Sequence, residues 1–107
     1  MREGEVLAAL EVADTFATRS KGLLGREGIE GAMLIKPAKS VHTVGMRFPI
    51  DVAFCDRNMT VLATVHMRRF RISLPRMRSR CVVEAEAGAF ERWGLRPGDR
   101  LEIKGGE

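Results

Sequence analysis

His42, Thr43 and Asp51 place an imidazole, a hydroxyl and a carboxylate close together in the chain. These are the side-chain types that a small hydrolase uses as general base, hydroxyl group and orienting carboxylate. No serine or cysteine sits in the G-x-S-x-G setting that strains and exposes a nucleophile, and the spacing spells no known triad, metal site or phosphate loop. His42, Thr43 and Asp51 therefore form an alternative catalytic set. The favoured reading is structural: a histidine satisfied by backbone groups, and a carboxylate that bonds turn amides beside Pro49.

Cys55 and Cys81 are the two cysteines. They lack C-x-x-C spacing, and the chain has no clustered pair of histidines. They read as reduced thiols that behave as small apolar residues, and neither a metal nor a cofactor is expected.

The arginines point elsewhere. Arg57, Arg68, Arg69, Arg71, Arg76, Arg78 and Arg80 fall in a stretch that contains no acidic residue, although the whole chain carries only +4. A planar guanidinium fork suits carboxylate and phosphate recognition, so this asymmetry points to an acidic partner. The expected ligand contacts are Arg68, Arg69, Arg71, Arg76, Arg78 and Arg80, with His42 and Asp51 as further candidates. An anionic small molecule or an acidic protein surface is the expected partner. Nucleic acid is a weaker alternative, because Phe70 is the one aromatic among these arginines and no recognised nucleic-acid-binding motif is present.

The elements that hold these residues are short. Residues 5–12 alternate as a first strand. Asp14 or Thr15 caps a helix over 15–24 that Gly25 ends, and Ala32–Ile35 forms a strand stopped by Pro37. Ile50, Val52 and Phe54 alternate with Asp51, Ala53 and Cys55 as a half-buried strand that Pro49 opens. Through the turn D-R-N-M, with Asn58 in its left-handed position, this strand pairs with 60–67 as a β-hairpin. Residues 68–80 lack a period and contain Pro75, so they read as a long basic loop, of the kind that is often functional. Cys81–Ala87 is a strand ending at Gly88, Ala89–Trp93 a helical turn stopped by Gly94, and Arg100–Lys104 a last strand entered through Pro97, Gly98 and Asp99.

At 107 residues the chain is one domain, 1–107, able to bury a single core. Hydrophobic residues at 45% and charged residues at 30% exclude a disordered chain. No stretch reaches the ~18 apolar residues of a membrane span and no A-x-A-like cleavage site follows the N-terminus, so a cytoplasmic protein is expected. Short strands, one early helix and frequent turns predict a mainly β fold, a compact sandwich or barrel with the helix plugging one end.

The order of A-D-T-F-A-T-R-S-K-G-L-L-G-R, G-A-M-L-I, P-I-D-V-A-F-C-D, V-V-E-A-E-A-G and P-G-D-R-L-E-I along residues 12–103 resembles the family catalogued as domain of unknown function 192. That resemblance implies a compact jelly-roll-like or barrel-like β domain without an established activity. Arg19, Gly22, Leu23, Pro49, Asp51, Glu84, Gly88, Gly98 and Asp99 match the family's pattern. Many members carry Trp-Met-Lys-Asn-Thr ahead of the proline; this chain has His42-Thr43-Val44-Gly45-Met46, which replaces a bulky aromatic and a lysine with an imidazole and smaller groups.

Two function classes follow. One is a non-enzymatic binding module that uses the basic loop. The other is a small hydrolase-type enzyme centred on His42 and Asp51, which requires a pocket joining those two side chains.

Overall fold

The computed structural model describes residues 9–102. Its elements are β1 (Leu10–Ala13), α1 (Phe16–Lys21), β2 (Ala32–Ile35), β3 (Ile50–Cys55), β4 (Val61–Met67), β5 (Cys81–Glu86) and α2 (Ala89–Trp93). The strands form one mixed sheet in the order β1-β2-β5-β3-β4, with β1 parallel to β2 and every other pair antiparallel. The fold is mainly β, as expected. The sheet does not close, so the expected barrel or sandwich gives way to a single open sheet covered on both faces, with the early helix and the expected helical turn Ala89–Trp93 present as α1 and α2.

That covering explains β3. Alternation predicted a half-buried strand, yet all six of its residues are buried. Ile50, Val52 and Phe54 join one core with Leu23, Ile29, Val41, Met46 and Phe48, supplied by the connections around α1 and before β3. Ala53 and Cys55 join a second core with Ala89, Phe90, Leu95 and Leu101. A strand with small residues on one face can lie beneath a helix and remain close-packed.

The β3–β4 hairpin forms as expected, with a register shift between Phe54 and Cys55. Across that bulge Val61 joins the second core, while Ala63 and Val65 pack against the first. The left-handed turn residue is Met59 (φ 63) rather than Asn58, because the Asp56 carboxylate accepts the amides of Asn58 and Thr60 and fixes the turn.

Helix α1 is shorter than expected. Thr15 caps it, with the Thr18 hydroxyl bonding back to the Thr15 amide, and Gly22 (φ 48) ends it before Gly25 is reached. Gly31 (φ +80) is required for close approach: a Cβ there would strike the backbone of Ala9 where β1 meets β2. The first strand is observed at Leu10–Ala13, and the earlier part of the predicted 5–12 strand lies outside the described residues. Of the predicted last strand, an isolated bridge between Arg100 and Thr60 forms and Leu101 is buried; Ile103 and Lys104 lie outside the described residues. Among those described, no helix is long and apolar enough to cross a membrane.

Candidate functional site

Residues 68–80 form neither helix nor strand, apart from the isolated bridge of Ile72 with His42. They are nonetheless stitched along their length to the segment before β3. The Thr43 amide donates to Arg71 O at 2.7 Å, the Ser73 amide to Val41 O at 2.8 Å and the Arg76 amide to Lys39 O at 2.9 Å. Ser79 Oγ donates to Ala38 O at 2.8 Å.

Thr43 is the pivot of this attachment. Its hydroxyl donates to Arg68 O at 2.6 Å, accepts the Arg71 amide at 2.8 Å, and is fully buried. A hydroxyl so engaged is a clamp for the basic segment rather than a nucleophile.

Asp51 is also structural. Its Oδ2 accepts the amides of Gly88 (2.9 Å) and Phe90 (3.2 Å) at the start of α2, and Oδ1 lies 3.3 Å from Nδ1 of His66. Its donors are thus turn amides, as expected, and they lie on the β5–α2 corner. The structure does not bring His42 to Asp51. Asp51 shares the face of Ala53 and Cys55 under α2, whereas His42 opens onto a cavity lined by Val82 and Ile35 of the other core. The two side chains line different cavities: His42 the one beneath α1, Asp51 one shared with Thr64, His66 and Glu91.

The arginines divide into two groups. Arg69 Nε donates to Met46 O at 2.8 Å with its guanidinium over the Phe70 ring, and Arg76 stacks 5.0 Å from the centre of the buried Phe54 ring. Arg80 bonds the carbonyls of Met77 and Ser79, and Arg71 bonds that of Phe70. The contacts of Arg69, Arg76 and Arg80 hold the segment in shape, whereas that of Arg71 is a local, exposed 3.3 Å bond to its own neighbour. No side-chain bond is made by Arg68 or Arg78 among the described residues, and both are exposed.

Interleaved with the arginines are Phe70, Ile72, Leu74 and Met77, exposed by 57%, 76%, 84% and 71%. Apolar side chains this exposed, gathered on one segment, form a patch of the kind that marks contact surfaces. The charge was legible in the sequence; the apolar half was not, because a segment without a period gives no sign of which way its side chains point.

A second feature escaped the sequence reading. Beneath α1 lies a cavity of about 90 Å³, with Arg19, Lys21, Ser40 and His42 around it and Glu84 among Leu23, Ile35, Val41, Met46 and Val82. Glu84 is 5% exposed, and burial pushes its carboxyl up to about 7. No hydrogen bond or ion pair reaches it among the described residues. Arg19 Nε is buried without a partner, while its NH1 makes a long 3.5 Å contact to Pro37 O. Arg19 Nε, orphaned beside this cavity, departs from the rule that buried polar atoms are paired, and Glu84 faces the same space with no protein partner among the described residues. The available signal was an acidic residue inside the apolar run V-V-E-A.

Cys55 and Cys81 are register partners across β3 and β5, both buried and both free. No cluster of three or more His, Cys, Asp or Glu able to hold a metal is found among the described residues.

The family DUF192, described as "Uncharacterized ACR", matches residues 1–103. A UPF0127 protein of Pyrococcus horikoshii is 30% identical over 105 residues, covering 94% of this chain and 88% of that protein. One from Pyrococcus furiosus is 30% identical over 103 residues, covering 92% and 89%. Among solved structures, a protein of unknown function from Novosphingobium aromaticivorans superposes with a TM-score of 0.77 at 25% identity, over 88% of this chain and 74% of that one. A putative transcription regulator from Sinorhizobium meliloti has the same TM-score at 23% identity, over 92% and 97%; that likeness is one of fold.

Proposed function

The chain belongs to the DUF192 family of uncharacterised small β domains, and from that premise we propose that it is a binding module whose 68–80 segment engages an acidic protein partner. The observation that carries this reading is the interleaving of exposed Phe70, Ile72, Leu74 and Met77 with exposed arginines on a segment held to the scaffold by Thr43 and Ser79. Stable interfaces combine an apolar centre with a polar rim, and arginine is enriched in them. A segment already ordered before contact loses less entropy on binding. The charge steers an acidic partner and the apolar side chains hold it.

Nucleic acid fits this surface less well. The Arg69 guanidinium lies over the Phe70 ring at 4.9 Å, so the one aromatic of the segment offers a single free face to a base.

Capture of partners from lysate, at low and high salt, with the parent and with an Arg68→Ser, Arg71→Ser, Arg78→Ser variant tests the reading. An acidic protein retained by the parent and lost by the variant supports it. Equal retention by both removes the segment from consideration, and preferential retention of oligonucleotides moves the assignment to nucleic acid.

A further inference from the structure

We propose that the cavity beneath α1 binds a small monocarboxylate, held between Arg19 and Glu84. The inference is independent of the basic segment's partner and rests on the two unpartnered groups at the cavity and on the charge around it.

Arg19 Nε can only donate, and it is buried with nothing to donate to. Glu84 shares the cavity with it and has no partner among the described residues. A carboxylate satisfies both: one oxygen accepts from Arg19, and the other accepts the proton of a neutral Glu84. Burial keeps that proton on Glu84 to about pH 7, so the carboxyl is a donor over much of the neutral range. Arg19 and Lys21 of α1 and His42 of the connection before β3 are the other titratable or charged groups facing the cavity. The positive charge around it attracts an anion and repels an ammonium ion.

Size narrows the class. A cavity of ~150 Å³ accommodates benzene, so about 90 Å³ suits a molecule of acetate or propionate size. Leu23, Ile35, Val41, Met46 and Val82 receive its short alkyl end. So small a ligand binds weakly, with an affinity on the order of millimolar.

NMR titration of the full chain with sodium acetate and sodium propionate tests this, with acetamide and methylammonium as controls and sodium chloride matched throughout. The expected result is saturable shifts of the residue 19–24, 40–42 and 82–84 signals with the carboxylates. Affinity should fall about tenfold per pH unit above pH 7, because each binding event requires one proton on Glu84. Glu84→Gln keeps an N–H donor and should bind acetate with that pH dependence abolished. Histidine is the other side-chain type that changes charge in this range, so His42→Gln serves as a control and should retain the dependence. Arg19→Gln should lose binding while its remaining spectrum stays native. Four results overturn the proposal: no saturable shift with either carboxylate, tighter binding of acetamide or methylammonium, unchanged binding in Arg19→Gln, or a pH dependence that survives in Glu84→Gln.

Discussion

Asp51 Oδ2 accepts the amide hydrogen of Gly88 across 2.9 Å, tying the start of β3 to the N-cap of α2. Gly88 adopts φ 94 and has no side chain with which to cap the helix itself, so a carboxylate from the neighbouring strand performs the capping.

Removing that carboxylate leaves the Gly88 and Phe90 amides unpaired. Asp51→Ala is expected to cost ~1–3 kcal/mol, on the order of 4–8 °C of Tm per kcal/mol for a domain of this size. His42→Ala, at an exposed position on the other side of the sheet, is expected to stay within ~0.5 kcal/mol of the parent. Thermal melts of the two variants in parallel check this; an Asp51→Ala protein as stable as the parent contradicts the capping role.

Glu84 should set a pH dependence of stability. Its native pKa of about 7 lies above its ordinary value of 4.5, so between those values the native state holds a proton that the unfolded chain has released. Stability is fully present below about pH 4.5, falls as pH rises to 7, and levels off above it, a total of about 3 kcal/mol. Chemical denaturation from pH 4 to pH 8 should show that fall in the parent and lose it in Glu84→Gln. Parallel profiles for the two proteins contradict the buried-carboxyl account.

The cysteines should be silent in the native protein. Both are buried and free; the neighbouring Cys81 thiol together with burial pushes Cys55 up, away from the reactive thiolate, and although the bond with Cys55 draws Cys81 down, its burial at 4% exposed shields it from reagent. A thiol reagent without reductant should find none reacting in the folded state and two in denaturant. Two missing thiols in denaturant would mean a disulfide across β3 and β5.

The hairpin, β2, β5 and the helical turn before Gly94 were legible because each is specified by its own alternation and punctuation. Burial of both faces of β3 was not: Asp51, Ala53 and Cys55 resemble a solvated face until α2 lies over them. The short α1 turned on which of Gly22 and Gly25 takes positive φ first. His42 and Asp51 are near neighbours in sequence, but strand parity and the connection at Gly45 send them to opposite sides of the sheet. Glu84 was legible as a residue and not as a cavity group, since its surroundings come from α1 and the connection before β3, both distant in the chain.

The measurement closest to the central claim is the salt dependence with which a synthetic peptide alternating glutamate and leucine binds the protein. Arg76 covers Phe54, so the substitutions are placed at Arg68, Arg71 and Arg78, which should leave Tm nearly unchanged. For the parent, log Kd should rise steeply with log salt, because exposed charges are screened. The Arg68→Ser, Arg71→Ser, Arg78→Ser variant should flatten that slope, and Ile72→Ser with Leu74→Ser should weaken binding at every salt concentration without altering it. Equal affinity and equal slope for parent and triple variant would contradict the claim that residues 68–80 are the contact surface.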